Sequence, residues 1–313
     1  MTGNRVLRVA AIGVGHLGRH HARILGSLEG AELVGVVDAK PDRAREIAAS
    51  CGTRAVERAA DLLGQVDAVS IAVPTEAHLQ AAMPFLERGI PVLVEKPLAR
   101  DVAEADRMID AAARAGTILA VGHTERHNPA VALAAAHLAD PRFVEVHRLG
   151  TFPERSLDID VVFDLMIHDL DIVLSLVAAE VAAVEAVGVP VLTGRVDIAN
   201  ARLRFQNGCI ANITASRISR ERVRKIRFFQ PEAYLSVDYA AQEVEMYRLV
   251  RGDGRPAIEG GKLEVQHEEP LRRELSDFLD AVRQRRPPLV SGSDGRRAIV
   301  LAQRIVERMA QGN

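Results

Sequence analysis

The first 121 residues alternate short β-branched runs with amphipathic segments. Such alternation is typical of parallel strands joined by helical crossovers. The predicted strands are Leu7–Ile12, Ala31–Val37, Ala68–Val73, Pro91–Val94 and Ile118–Val121. The predicted helices between them are Leu17–Leu28, Asp42–Ser50, Glu76–Arg88 and Val102–Ala115. The pattern predicts a doubly wound α/β domain with a parallel sheet over residues 1–122.

The pattern changes after His123, where strand-like segments come to dominate. The predicted helices here are Pro129–Leu138, Asp160–Val177, Leu271–Arg285 and Asp294–Met309. The predicted strands are Phe143–Leu149, Ala201–Phe205, Cys209–Ala215, Lys225–Phe229, Tyr234–Tyr239, Glu243–Leu249 and Leu263–His267. Asn207-Gly208 suits a two-residue hairpin turn, and the Gly/Pro/Arg-rich stretch Arg251–Gly261 predicts a loop. We therefore expect a second α/β domain with a mostly antiparallel sheet over residues 123–290.

Composition narrows the class of protein. A chain of 313 residues, 48% hydrophobic and 26% charged, is an ordinary globular chain with room for two domains. Its 40 basic and 42 acidic residues give no general attraction to nucleic acid or to an anionic membrane. No apolar run is long enough to cross a membrane, so a cytoplasmic protein is the simplest interpretation. Cys51 and Cys209 are too few for a disulfide framework, and we expect both to be buried free thiols.

A glycine motif follows the first strand directly. In Gly13-Val14-Gly15-His16-Leu17-Gly18, the first glycine permits a tight turn, the second lets the backbone approach a pyrophosphate, and the third allows close packing of helix on strand. Asp38 ends the second strand, where its carboxylate would accept hydrogen bonds from the adenosine ribose and repel a 2′-phosphate. The motif predicts a dinucleotide site, with NAD favoured over NADP. A glycine-rich turn in an unrelated α/β fold is the alternative.

Glu95-Lys96-Pro97 follows the fourth predicted strand, at the sheet edge that faces the ligand in open parallel sheets. Lys96 would there hydrogen-bond a hydroxyl that is being oxidised and stabilise the developing alkoxide. Pro97 would fix the local backbone, with a cis bond as one option. The alternative is that Lys96 is a solvated surface group.

The apolar segment 161–174 predicts a largely buried helix that nevertheless carries Asp164, His168 and Asp171 at positions i, i+4 and i+7. Buried ionisable groups need partners or a cavity, and Asp164 would suit His168 to accept a proton from a sugar hydroxyl. A structural Asp/His pair within the core is the alternative. The spacing of His168, Asp169 and Asp171 matches no common zinc pattern, so we predict no metal site.

The motifs together resemble the Gfo/Idh/MocA oxidoreductase family over nearly the whole chain. The resemblance rests on the glycine motif at 13–18, Asp38, Pro74-Thr75-x-x-His78, Glu95-Lys96-Pro97 and Asp164-x-x-x-His168-x-x-Asp171. It implies a Rossmann domain followed by an α/β domain whose large open sheet forms a homodimer or homotetramer, with the last helix, residues 291–313, returning to the Rossmann domain. It also implies that Lys96, Asp164 and His168 are catalytic. The expected cofactor contacts are Gly13, Gly15, His16, Leu17, Gly18, Asp38, Pro74, Thr75, His78, Glu95 and Lys96.

Two stretches, 121–129 and 158–169, are similar to the subgroup of UDP-N-acetylglucosamine 3-dehydrogenases. This similarity implies oxidation at C3 of a nucleotide sugar, with an inositol or a free aldose as the alternative substrate. The expected substrate contacts are Lys96, Arg126, Asn128, Arg155, Asp164 and His168. Asn128 has a second interpretation as a helix N-cap ahead of Pro129. A non-catalytic sensor that binds NAD and a sugar is a further hypothesis, against which the intact Lys96, Asp164 and His168 argue.

Overall fold

The computed structural model describes residues 5–152, 159–251 and 255–311. The strands are β1 (Leu7–Ile12), β2 (Ala31–Val37), β3 (Ala68–Ile71), β4 (Val92–Glu95), β5 (Leu119–Gly122), β6 (Phe143–Leu149), β7 (Val181–Val189), β8 (Ile198–Phe205), β9 (Ile210–Ser216), β10 (Val223–Gln230), β11 (Ala233–Asp238), β12 (Glu243–Val250) and β13 (Ala257–Leu263). The helices are α1 (Gly18–Leu25), α2 (Pro41–Ser50), α3 (His78–Leu86), α4 (Val102–Ala115), α5 (Pro129–His137), α6 (Ile167–Leu176), α7 (Pro270–Gln284) and α8 (Gly292–Gln311). No described helix is both long and apolar enough to cross a bilayer.

The chain divides into two compact units. The first comprises Met1–Thr124 and Glu269–Arg296, and the second comprises Glu125–Glu268 and Arg297–Asn313. The first unit therefore includes α7, which the sequence pattern had grouped with the second domain. The last helix also differs from expectation, because its residues from Arg297 onward belong to the second unit rather than to the Rossmann unit.

The first unit is built on a five-stranded parallel sheet in the order β2-β1-β3-β4-β5. Strands β3, β4 and β5 are buried along their whole length, as expected of a sheet covered on both faces. Leu275, Phe278 and Leu279 on α7 join the apolar core with residues of α1 and β1. The prediction of a doubly wound parallel sheet is confirmed.

The second unit holds an eight-stranded sheet in the order β13-β12-β11-β10-β6-β9-β8-β7. Only the β6/β9 pair is parallel among these strands. The strands β8 and β9 meet at the predicted hairpin, where Gly208 has φ +85°. Apolar side chains from one face of the sheet pack with residues of α5, α6 and α8. The prediction of a large, mostly antiparallel sheet is confirmed.

Some local predictions were wrong. Residues 257–261, predicted as part of a loop, lie in the edge strand β13, and 264–267, predicted as part of a strand, are not in one. The glycines of this segment favoured the prediction of a loop. At Gly260, however, the absence of a side chain lets β12 approach closely, since an added Cβ would lie 2.7 Å from the Tyr247 Cα. The Ala-rich strand β7 was missed because alanine has low strand propensity. Cys51 is half-buried, whereas Cys209 is buried as expected.

Candidate active site

The turn between β1 and α1 requires two of its glycines. Gly13 has φ +81°, and an added Cβ would lie 2.7 Å from the Ala72 carbonyl oxygen. A Cβ at Gly18 would lie 1.7 Å from the carbonyl oxygen of Gly13. Above Gly15 the nearest atoms belong to the Arg43 guanidinium, at 3.8 Å. The backbone is therefore accessible where a pyrophosphate would approach, and the residues present fit a bound dinucleotide.

The motif residues His16 and Leu17 are both exposed immediately before α1. Leu17 is the N-cap residue, and its side chain makes no capping hydrogen bond. The first N–H groups of α1 therefore carry the partial positive charge that attracts an anionic oxygen. This arrangement supports the expectation that both residues border the cofactor.

Asp38 is held rigidly at the end of β2. Its carboxylate accepts hydrogen bonds from the N–H groups of Val14 (2.9 Å) and Lys40 (2.8 Å) and from the Arg43 guanidinium (2.6 and 3.0 Å). Burial raises the pKa of Asp38, but Arg43 and the two N–H groups outweigh burial and lower it overall. Asp38 is therefore ionised at neutral pH. Arg43 was not predicted from the sequence as the partner of Asp38. The available signal was an arginine in the first turn of α2.

The turn that contains Lys96, called the Lys96 turn below, is held in place by buried side chains. The Lys96–Pro97 bond is cis, which confirms the option raised from the sequence. Glu95 accepts a hydrogen bond from the Lys96 N–H (3.0 Å) and contacts the His21 Nε2 (2.9 Å). The Lys96 side chain itself is half-buried, in contrast to the fully buried Glu95 and His21. The structure thus separates a positioned lysine from the groups that hold its backbone.

His78 does not lie where a cofactor contact was expected. It is buried, with its Nδ1 3.0 Å from the Pro97 carbonyl oxygen and its Nε2 3.0 Å from the Val73 carbonyl oxygen. Burial lowers the pKa of His78. His78 therefore braces the loops after β3 and β4 instead of facing a ligand. Pro74 is exposed and Thr75 is half-buried at the start of the intervening turn, where a cofactor contact remains an expectation.

In the second unit, the predicted Asp/His helix begins with a π-helical turn over Val162–Met166. Asp164 lies in this turn and His168 in the first turn of α6, and both are half-buried. The stripe predicted from α-helical spacing is therefore not regular, because a π turn rotates less per residue. Asp171 is buried and pairs with Arg126 at 3.3 Å, so it does not extend the accessible stripe.

A buried ion-pair network lies beside this helix. Arg148 on β6 donates to both carboxylate oxygens of Asp169 (2.6 and 3.1 Å), contacts Glu125 (3.3 Å) and lies 5.4 Å from the centroid of the Tyr239 ring. Burial lowers the pKa of Arg148, but the two carboxylates outweigh burial and raise it overall. Sequence reasoning missed Arg148. The available signal was its position on β6. Every second residue of this strand is buried, and Arg148 follows Val144 and Val146 in that series.

The predicted substrate contact Asn128 is explained differently by the structure. Asn128 is buried and caps α5, where its oxygen accepts from the Ala130 N–H (3.1 Å). Its amide group donates to the Tyr239 carbonyl (3.0 Å) and to Glu125 (3.2 Å), which occupies both of its N–H donors. The capping interpretation is therefore the one that the structure supports. Arg126 is held by Asp171, and Arg155 lies outside the described residues.

A Rossmann unit with a dinucleotide cradle, and a second unit in which Asp164 and His168 are both half-buried, are features of a dinucleotide-dependent oxidoreductase. A family model described as an oxidoreductase family with an NAD-binding Rossmann fold matches residues 7–123. The model of the Gfo/Idh/MocA C-terminal domain matches residues 131–234. The chain belongs to the Gfo/Idh/MocA oxidoreductase family and is an NAD-dependent dehydrogenase.

Individual relatives agree with this assignment. The chain is 40% identical to the UDP-N-acetylglucosamine 3-dehydrogenase of Acidithiobacillus ferrooxidans, over 96% of each chain. A solved structure of that enzyme superposes with a TM-score of 0.92 at 39% identity, covering 97% of this chain and 98% of the other. The chain is also 31% identical to the NAD-dependent scyllo-inositol 2-dehydrogenase of Bacillus subtilis, over 68% of each chain.

We expect Asp38→Asn to weaken NAD binding by about tenfold to a hundredfold and to strengthen NADP binding. The variant loses an anionic acceptor for the ribose hydroxyls, and it leaves Arg43 available to a 2′-phosphate. Isothermal titration of both nucleotides against both proteins measures the change. Asp42→Asn, at an exposed site on α2, is the control and should behave as the parent does. Equal affinity of the parent for both nucleotides would contradict this role for Asp38.

Proposed function

We propose that this protein oxidises C3 of UDP-N-acetylglucosamine to a ketone with NAD. The observation that carries the proposal is the near-complete match to an enzyme of that activity, at 40% identity over 96% of both chains. An inositol is the second candidate substrate, because an inositol dehydrogenase is also related over two thirds of the chain. Both candidates present a secondary hydroxyl on a six-membered ring, so the same chemistry serves either.

Three side chains would share the reaction. His168 accepts the proton of the hydroxyl, Lys96 hydrogen-bonds the same oxygen as negative charge develops on it, and Asp164 orients His168. NAD, which the glycine turn and Asp38 would hold, would supply the acceptor for the hydride that leaves the sugar carbon. The products are the keto sugar, NADH and one proton. This assignment is supported by the exposure of the three groups: each is half-buried and so can reach a ligand, whereas their neighbours Glu95, Asp169 and Asp171 are buried.

The substrate is tested by incubating the purified protein with NAD and single candidates while the absorbance of the reduced cofactor is followed. UDP-N-acetylglucosamine should give the highest kcat/KM. UDP-glucose, N-acetylglucosamine without the nucleotide, myo-inositol and scyllo-inositol are the comparison substrates. Preference for an inositol would replace the leading substrate with the second candidate. Binding of NAD without reduction by any of them would favour the sensor hypothesis.

Lys96→Met should reduce kcat by at least about a hundredfold while the Kd for NAD changes little, because the lost ammonium acts on the sugar oxygen. His168→Asn should reduce kcat by roughly a hundredfold to ten-thousandfold. Lys262→Met, an exposed lysine on β13, is the matched control and should not change kcat. Turnover by Lys96→Met at the parental rate would remove Lys96 from the mechanism.

We further infer a homo-oligomer assembled on the outer face of the eight-stranded sheet. Phe143, Phe229, Tyr234 and Tyr247 lie directly opposite one another on four adjacent strands. Successive ring centroids are 5.5, 5.1 and 6.4 Å apart. Phe229 and Tyr247 are exposed, and a continuous aromatic ladder on a sheet face is typical of an interaction surface.

Light scattering coupled to size-exclusion chromatography should therefore report a dimer or a tetramer. The double variant Phe229→Lys/Tyr247→Lys should shift the mass toward the monomer, because like charges would face each other across the interface. The matched control is Arg202→Lys, an exposed position on β8 that keeps its charge. A monomeric parent protein at micromolar concentration would refute the inference.

A further inference from the structure

A cluster of three buried ionisable side chains lies under the Lys96 turn. His21 on α1, Glu95 at the end of β4 and Glu274 on α7 each offer one nitrogen or oxygen atom, and these atoms lie within 4.8 Å of one another. All three side chains belong to the first unit and are almost completely shielded from solvent. The other nitrogen of His21 lies 2.8 Å from the Ser70 hydroxyl. Two carboxyl groups therefore share one pocket that is almost closed to solvent.

Glu95 is the carboxylate that this pocket holds in ionised form. It accepts the Lys96 N–H (3.0 Å) and contacts His21 (2.9 Å). Burial raises the pKa of Glu95, but the hydrogen bond and charge of His21, together with Lys96, outweigh burial and lower it overall. The pocket is also shaped for this side chain: a Cβ at Gly122, directly opposite on β5, would lie 3.1 Å from the Glu95 Oε2.

Glu274 has the opposite environment. It is 1% exposed, and neither carboxylate oxygen makes a hydrogen bond of normal geometry with a described residue. Burial raises the pKa of Glu274 well above its usual value, the Glu95 charge raises it further, the Thr124 hydroxyl opposes this shift, and Asp277 adds to it. Two carboxylates this close cannot both be ionised without a large cost, so the pair retains one proton.

We propose that Glu274 is a positioning residue. It is a neutral carboxylic acid that forms a polar wall of the pocket beside ionised Glu95, and Glu95 in turn fixes the backbone of Lys96. The catalytic part of this inference depends on the proposed function of Lys96. A divalent cation would also neutralise two carboxylates. The contact between the His21 Nε2 and the Glu95 Oε1, at 2.9 Å, has the length of a hydrogen bond, so one proton accounts for the arrangement without a cation.

The charge state of Glu274 is tested without any substrate. Glu274→Gln keeps the shape of the acid but cannot ionise. Above about pH 4 the unfolded chain releases the Glu274 proton and the folded chain keeps it, so the parent loses stability as pH rises and the variant does not. We expect Glu274→Gln to have the higher melting temperature, with a difference that grows from about pH 5 to pH 8. The control Glu46→Gln, exposed on α2, should give a constant difference.

The positioning role is tested on the Lys96 amide. Glu274→Leu replaces the polar wall with an apolar one, which should favour protonation of Glu95 and release the Lys96 N–H. Hydrogen exchange at residue 96 should then be faster in Glu274→Leu than in the parent, while Glu274→Gln restores the parental rate. In turnover with the best sugar, kcat should fall by at least about tenfold in Glu274→Leu with little change in the Kd for NAD, and glutamine should rescue it.

Three outcomes overturn the proposal, and a fourth separates it from the proposed function. A Glu274→Gln protein that is less stable than the parent, by a margin that grows with pH, would show that Glu274 is ionised. A stoichiometric divalent metal that survives chelation in the purified parent would identify a cation site instead. Unchanged exchange at residue 96 in Glu274→Leu would remove the link to Lys96. If exchange responds as expected but neither variant alters turnover, Lys96 is not catalytic, and the failure lies with the proposed function.

Discussion

The cost of burying charge is the constraint on which both units depend. Each unit carries ionised side chains in its interior, and the described ones meet an opposite charge or a set of N–H groups. Asp38 is paired with Arg43, Glu95 with His21, Asp169 with Arg148 and Asp171 with Arg126. Removing one member of such a pair leaves a charge without compensation and is far more costly than losing an exposed pair. These residues are therefore interdependent with the backbone segments that they join.

Because of this cost, the proposed catalytic side chains differ in burial from the side chains that hold them in place. The proposed catalytic side chains Lys96, Asp164 and His168 are half-buried, and two of them, Lys96 and His168, are adjacent in sequence to a member of a buried ion pair. Glu95 precedes Lys96, and Asp169 follows His168. Because a buried pair fixes the main chain, the adjacent reactive side chain begins from a defined position without losing access to a ligand. The π turn at Val162–Met166 belongs to the same arrangement, since it offsets Asp164 from the α-helical register.

The sequence predicted most of the fold because hydrophobic periodicity and glycine motifs are local signals. The strands β1, β2 and β6 and the helix α4 lie at the predicted bounds, and the glycine turn, Asp38 and the cis bond at Pro97 were all anticipated. The partners Arg43, Arg148 and Glu274 were not. Arg148 pairs with a residue 21 positions away and Glu274 lies 179 positions beyond Glu95, so their meeting depends on topology that no local pattern contains. His78 and Asn128 were predicted as ligand contacts because their motifs suggested it, whereas His78 contacts backbone carbonyl groups and Asn128 hydrogen-bonds to backbone groups and to Glu125.

The contacts that would select the substrate are distinct from the groups that would carry out the reaction. Under the proposed function, the glycine cradle and Asp38 would bind the dinucleotide and Lys96 would act on one hydroxyl, which every sugar or cyclitol dehydrogenase of this kind must handle. A nucleotide sugar adds a diphosphate and a uracil, and these require contacts that an inositol cannot use. A myo-inositol 2-dehydrogenase of Thermotoga maritima matches 94% of the chain at 27% identity, whereas the UDP-N-acetylglucosamine enzyme matches 96% at 40% identity. The two matches differ in identity and not in length, so it is the higher identity that favours the nucleotide sugar in the proposed choice of substrate.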